Sequence, residues 1–427
     1  MRPLVRRLAL ATVIVALAGC TAFRDSADDA EPASVGEVRI GVLAPVSGAD
    51  AALGRQALQG AQLAAQLVNG EDASVPLPLV GGNGLPGLGG APLTIVPADT
   101  KGNVEEGSRL AAELATGRRV AGIVGALDAP VTVAASQRTE RLGVPFVNGD
   151  TSTGYLTQRG LDWFFRTGPN DRMFGEGFFS VLDQEATADS EPRRVAILYS
   201  NDKGGSDVAA VTEELAGEGG YSVTKIAFST GAQDLTAAAR QVQDANPTAA
   251  FLIASSRVDA ERLVKAFGAI GYKPPGMMAF GPGFTNPAVL QAVAPQAGAV
   301  LRGAAWSPEL AGRNPTAQAV GTIFQDKFGA PMTSVAAGSF TAVLTLARAI
   351  NDARSVDPQR VRAALIDLDI PGRDTIMPWD GIRFDETRQN SQAGAVVEQL
   401  VGRDLRVVFP QGLAQAQTVW PAPGARA

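Results

Sequence analysis

Alternating strand and helix signatures set the fold of this chain. Val38-Arg39-Ile40-Gly41-Val42-Leu43 has the apolar, β-branched content of a strand. Ala57, Leu58, Ala61, Ala64, Ala65 and Val68 then recur at helical spacing. Leu93-Thr94-Ile95-Val96 reads as the next strand, and Asn103 with Glu106 three residues later makes a capping-box start for a helix reaching Leu114. Residues 120–127 are apolar enough for a buried parallel strand, followed by a helix over 131–142 and a strand at 144–147. A second series opens at Arg194, with strands at 195–199, 223–228, 249–254 and 277–280 and helices at 207–215, 235–243 and 259–270 between them. Strands separated by helices of this length give parallel sheets covered on both faces. Two such runs predict an α/β protein of two similar sandwich lobes. Open parallel sheets bind ligands beyond the carboxyl ends of their strands, so the loops after Val42, Val124, Val147, Tyr199, Ala254 and Phe280 are the ones to watch. Residues 70–92, rich in Gly and Pro, read as a long surface loop with a short hairpin as its closure.

Composition narrows the chemistry. The chain has no histidine and one cysteine, Cys20. This removes most metal sites built on imidazole or thiolate, and it removes Ser-His-Asp and Cys-His nucleophilic catalysis. No intrachain disulfide can form, so the fold rests on a core that 45% apolar residues supply. No cofactor is expected. Lys and Arg total 37 against 43 Asp and Glu. No basic stripe with interleaved aromatics occurs, so nucleic acid is not expected as a partner.

The first residues read as an export signal. Arg2, Arg6 and Arg7 precede an apolar run over residues 8–17, and Leu17-Ala18-Gly19-Cys20 follows. A run of ~10 residues is too short to span a bilayer, which needs roughly 20. The ending in Cys resembles the bacterial lipobox, which implies that Cys20 is lipidated and becomes the first residue after removal of 1–19. The alternative is an ordinary signal with a chance thiol. Residues 20–36, with Asp25, Asp28, Asp29 and Glu31 and few bulky apolar side chains, read as a flexible tether. The expected location is the outer face of the cell membrane, with the chain held there by its lipid.

Other motifs fail their structural conditions. Gly82-Asn83-Gly84-Leu85-Pro86-Gly87 matches G-x-G-x-x-G, but prolines surround it and a strand, not a helix, follows. Ser200-Asn201-Asp202-Lys203 matches S-x-x-K without the companion S-D-N and K-T-G elements of acyl-serine enzymes. Asp202 and Asp128 are open to acid–base work, though a loop carboxylate is more often a cap or turn residue.

With these segments in place, the chain resembles the leucine/isoleucine/valine-binding proteins, the type I solute receptors of ABC importers. The resemblance rests on residues 37–48 with Gly54 and Gly60-Ala61, and on Gly122-Ile123-Val124-Gly125-Ala126-Leu127 with Thr132. It rests further on Val144-Pro145-Phe146-Val147 through Asp150-Thr151-Ser152 to Phe165-Arg166-Thr167, on residues 266–272 with Gly281, and on Trp379-Asp380-Gly381-Ile382-Arg383-Phe384-Asp385. It covers about residues 37–410. It implies two lobes joined by three crossovers, with a ligand cleft that shuts by hinge motion. Lobe one then holds 37–167 and 307–379, lobe two 170–304 and 390–412, and 413–427 forms a C-terminal tail. A helix over 333–350 would pack on lobe one through Val335, Ala342, Leu346 and Ala349.

By matching positions, the resemblance implies ligand contacts at Asp128, Ala129, Thr132, Asp150, Thr151, Ser152, Gly204, Ser256 and Gly283. Residues 127–130 stand before a helix whose free N–H groups and dipole favour an anion. Asp150, Thr151 and Ser152 would add backbone donors and two hydroxyls; the plainer alternative is that Thr151 and Ser152 only cap the next turn. Where amino-acid-binding members place an acid for the ligand ammonium, this chain has Gly283, and their aromatic walls fall on Leu53, Gly204 and Ser256. An unpaired buried ammonium is costly. The acid is therefore Asp150 or Asp128, or the ligand is an amide, a urea-like compound, a small acid or a bulkier solute. The pocket is then roomier, or filled by Phe174 or Phe284. The implied function is capture of a small polar solute for an ABC permease and ATPase by a monomeric, lipid-anchored, non-enzymatic receptor. A ligand-sensing surface lipoprotein and an exported enzyme are the competing classes.

Overall fold

A short apolar strand satisfies its backbone only beside other strands, and here the strands sort into two main sheets. The computed structural model describes residues 35–425 apart from 73, 186–192, 294–297 and 313. The signal, Cys20 and all but the last residues of the tether lie outside the described residues.

The chain runs β1 (Val38–Ala44), α1 (Ala51–Val68), β2 (Leu93–Asp99), α2 (Val104–Ala112), β3 (Gly122–Val124), α3 (Ala129–Leu142), β4 (Phe146–Asn148) and β5 (Phe164–Arg166). These strands form an all-parallel sheet in the order β2-β1-β3-β4-β5. It crosses to α4 (Asp171–Glu185), β6 (Arg194–Ser200), α5 (Lys203–Glu218), β7 (Ser222–Phe228), α6 (Thr236–Ala245), β8 (Ala249–Ile253), α7 (Arg257–Ile270), β9 (Gly276–Phe280), α8 (Ala288–Ala292) and β10 (Leu301–Ala304). It then returns as α9 (Pro315–Phe328), α10 (Ser334–Ala353), α11 (Pro358–Ile366) and the small pair β11 (Asp369–Pro371) and β12 (Gly381–Arg383). Finally β13 (Val396–Val401) and β14 (Asp404–Phe409) join the second sheet, ordered β14-β13-β10-β9-β8-β6-β7, with the last two strands antiparallel.

The sequence explains the layers. β8 and β9 are buried along their whole length because they sit mid-sheet under helices on both faces. α10 buries Val335, Ala342, Leu346 and Ala349, the stripe read from the sequence. It lies so close to α1 that a Cβ on Gly60 would stand 2.1 Å from Ala336 O. β10 and β13 place Arg302 opposite Glu398, and their side chains pair at 2.7 Å with both nearly inaccessible. Arg302 also donates to Phe284 O and Thr285 O.

Three expectations change. Residues 70–92 are more than a surface loop: Val75, Leu77, Leu85, Leu88 and Ala91 are buried against the core of the first sheet, closed by the Leu85–Ala91 bridge. The α2 helix ends at Ala112 and opens into a wide turn over Glu113–Gly117, so Leu114 lies past its end. Asn103 caps it by accepting from Glu106 N–H, but Glu106 turns to Arg109 and not back to Asn103, which leaves the capping box half formed. The C-terminal tail, over its described residues 413–425, is packed down: Val419 exchanges two hydrogen bonds with Gln399, and the Trp420 ring fills the space over Gly276.

Candidate functional site

The carboxyl ends of β1, β3 and β4 emit the loops that lead into α1, into α3 and into the turn at 154–157. Two helices start there without caps. Asp50 precedes α1 and Asp128 precedes α3, yet neither side chain accepts a backbone bond. Pro130 has no N–H, and the N–H groups of Ala52, Leu53, Ala129 and Val131 have no acceptor among the described residues. Such free first-turn donors and the dipole behind them attract a polar or anionic group. Between them lie Val46, Leu53 and Leu127, half-buried over Ala44, Ala57 and Val335, an apolar floor beside the donors.

Asp128 Oδ2 is buried with no partner among the described residues. Burial, and next the nearby Asp50 charge, push its carboxyl above the usual range. Asp150 turns the other way. Its Oδ2 accepts from Ser339 Oγ at 3.2 Å, and its Oδ1 stands where a Cβ on Gly338 would clash, so the side chain lies against α10. Burial raises this carboxyl to about 7.

The hydroxyls expected to face a ligand are spent inside lobe one. Buried Asn148 donates to Gly125 O and accepts from Thr151 N–H. Thr151 Oγ1 donates to Ala126 O at 2.9 Å, and Thr132 Oγ1 reaches Ala126 O and Asp128 O, each at 2.7 Å. One hydroxyl has one proton, so Thr132 and Thr151 lock the β3 and β4 loops together and have none left for a solute. Ser152 lies beside Asp171: its carbonyl accepts from Asp171 N–H at 2.9 Å, and burial raises the Asp171 carboxyl more than the nearby Ser152 hydroxyl lowers it. The N–H groups of Asp150 and Ser152, by contrast, have no acceptor among the described residues.

On the second sheet the loops satisfy themselves. Asp202, read from the sequence as either an acid–base group or a cap, caps α5: its Oδ1 accepts from Gly205 N–H and Ser255 Oγ, and its Oδ2 from Thr230 Oγ1. Burial alone would raise its carboxyl, but these donors outweigh that and hold it below the usual range. A Cβ on Gly204 would meet Ser255 Oγ at 2.9 Å, so this position aims at the neighbouring loop. Ser256 caps α7 by accepting from Asp259 N–H and donates to Asp259 Oδ2. Buried Gly283 donates to Ala254 O, and a Cβ there would stand 2.5 Å from Ser256 O. An acid at 283 has no room, and the residue closes the loop instead of leaving an empty place in a pocket. Phe284 belongs to the lobe-two core and Phe174 packs on Gly303, so neither fills a cleft.

The two edges meet at Lys203, whose Nζ lies 5.0 Å from the centre of the exposed Tyr155 ring. The sequence reading missed Tyr155 and Asn148, and met Lys203 only as the last residue of a rejected S-x-x-K match. Asn148 alone carried a signal, a polar residue ending a buried strand. Lys203 also pairs with Asp207 at 2.7 Å.

A protein-family description, "periplasmic binding protein", matches residues 37–403. The "Leu/Ile/Val-binding protein homolog 7" of Brucella abortus (strain 2308) is 25% identical over 409 residues, covering 92% of this chain and 96% of the relative. Among solved structures, the branched-chain amino acid transporter substrate binding protein LivJ of Streptococcus pneumoniae, in complex with isoleucine, aligns with TM-score 0.68 at 19% identity. That match covers 88% of this chain and 100% of LivJ. A solute binding protein of an R. palustris ABC transporter, in complex with benzoate, aligns with TM-score 0.69 at 17% identity, covering 92% and 100%. A family match over most of the chain, carried on two α/β lobes, places this protein in the periplasmic binding protein family.

Proposed function

We propose that the chain captures a small carboxylate-bearing solute between its lobes and delivers it to an ABC importer. The observation that carries this reading is the asymmetry of the two edges. Helices α5 and α7 are capped by their own Asp202 and Ser256, while α1 and α3 are uncapped and the N–H groups of Asp150 and Ser152 have no acceptor among the described residues. Donors without acceptors cost free energy unless water or a ligand meets them. Lobe one, residues 37–167 and 307–379, therefore takes the polar head first, and hinge closure brings residues 170–304 and 390–412 over it.

Leucine, isoleucine and benzoate, the ligands named for solved relatives, share a carboxylate and an apolar body. The free N–H groups suit the first and the floor of Val46, Leu53 and Leu127 suits the second. Asp128, unpartnered on the same edge, offers a counter-charge for an ammonium that position 283 does not. The family is one of solute-binding proteins, and we assign this chain no catalytic step.

The test is a thermal-shift and calorimetry panel of leucine, isoleucine, benzoate, acetamide and urea. One or more carboxylates should raise the melting temperature where acetamide and urea do not. Stabilisation by the neutral amides alone, or by nothing in the panel, refutes the carboxylate reading. Lipidation is proposed at Cys20 and is checked separately: fatty-acid labelling should vanish, and the protein should leave the membrane fraction, in Cys20→Ala. We further propose that the released protein is a monomer, which sedimentation checks.

A further inference from the structure

Arg166 ends β5, where the chain leaves lobe one, and it is fully buried. Its guanidinium is held by neutral acceptors. Nε donates to Gln389 Oε1 at 2.6 Å, Nη1 to Thr153 O at 2.6 Å and Thr151 O at 3.2 Å, and Nη2 to Thr157 Oγ1 at 3.2 Å. Its counter-charges, Asp171 and Asp385, act from beyond ion-pair distance, and burial draws its pKa down to about 10. A buried cation without a carboxylate against it is expensive, so its contacts need an explanation other than stability.

Peptide planarity supplies one. In a trans peptide the C=O and the N–H point in opposite directions. Thr151 C=O rests on the guanidinium, so the N–H of the same peptide, that of Ser152, points away from the buried arginine. Thr153 C=O rests there too, so the opposite N–H, that of Gly154, is turned away as well. Ser152 N–H has no acceptor among the described residues. Gln389 extends the chain of bonds, because its Nε2 donates to Gly168 O, where the chain passes from β5 to α4, at 2.9 Å, while its own backbone lies between β12 and β13 and bridges to Arg166.

We propose that Arg166 is a positioning residue for ligand capture: it fixes the Thr151–Ser152 peptide with the Ser152 N–H presented as an anion donor, and through Gln389 it ties that peptide to the crossovers on which the lobes swing. The inference rests on the receptor reading above. A lysine has no planar fork and cannot hold Thr151 O, Thr153 O and Gln389 together.

The test uses the full chain, Arg166→Lys and Gln389→Leu, with L-leucine and benzoate as probes. For the probe that binds the parent, Arg166→Lys should lower affinity at least tenfold and Gln389→Leu at least threefold. In the ligand-free protein the carbonyl ¹³C resonances of Thr151 and Thr153 should move in Arg166→Lys. Parent-like affinity with moved resonances overturns the positioning role. Should Arg166→Lys fail to fold, an unchanged affinity in Gln389→Leu overturns it instead. Should neither probe bind the parent, the receptor reading fails for these solutes, and Arg166 is judged by hydrogen exchange at Ser152. That amide should exchange fast in the parent and change rate in Gln389→Leu; equal rates overturn the proposal.

Discussion

Replacing Asp150 by asparagine should make the protein more stable at alkaline pH and leave it unchanged in acid. The Asp150 carboxyl lies against α10 with Ser339 Oγ as its hydrogen-bond donor, and burial lifts it from 3.8 to about 7. Below pH ~4 both the folded and the unfolded chain hold this proton. Between ~4 and ~7 the unfolded chain loses it first, so the contribution to stability falls as pH rises and is gone above about 7. At ~1.4 kcal/mol per pH unit the full gap corresponds to about 4 kcal/mol. Asp150 as a whole residue is only half-buried, and water near it screens the ionised form, so about 2 kcal/mol is expected. Asparagine keeps the shape and has no proton to lose. With an unfolding entropy of ~2.1 cal/mol/K per residue over roughly 400 residues, the gain in Asp150→Asn corresponds to about 2–3 °C in Tm at pH 8. The assay is a pair of melts, parent and variant, at steps between pH 4.5 and pH 8. Burial also raises Asp128 and Asp171, whereas Asp99 and Asp202 are held low, but these groups are common to both proteins and cancel in the difference. A difference that stays constant across the range, or a variant less stable than the parent at pH 8, refutes the burial of a raised carboxyl at this position.

Two further outcomes follow from packing. Glu398→Ala leaves Arg302 as an unpaired buried charge between β10 and β13, and urea unfolding should show a loss of about 3–5 kcal/mol; a loss under ~1 kcal/mol means the pair is solvated. Gly60→Ala drives a methyl group into Ala336 O where α1 meets α10, and its Tm should fall with a cost of about 1–3 kcal/mol, whereas an unchanged Tm shows that the helices slide apart freely.

Much of this architecture was legible because it is written locally. Strand and helix periods of 2 and 3.6 residues gave the two α/β runs, and the α10 stripe gave its packing face. The site was less legible, for a physical reason. Thr132 and Thr151 look alike in sequence whether they face a solute or a carbonyl, and only the closure of the β3 loop on the β4 loop brings Ala126 O within their reach. Gly283 read as a missing acid because its neighbour Ser256 O, which leaves no space for a side chain, comes from a distant loop. The free donors at Ala129, Val131 and Ser152 are backbone groups, which no residue type announces. Arg166 was visible as part of a crossover segment, but Gln389, its partner across 223 residues, was not.

The way the lobes are stitched together also bears on how the chain comes into being. Thr333 reaches Gln56 across 277 residues, and β13 and β14 complete the second sheet only near the end of the chain. Loops of that length close at an entropic cost that grows with their span, and contacts of long range slow folding. A chain made from its N-terminus must therefore wait: α1 has no α10 to cover it, and β10 has no β13 beside it, until most of the protein has left the ribosome. The late arrival of both partners keeps the nascent chain loose for longer, which is the state a polypeptide needs while it is threaded across a membrane.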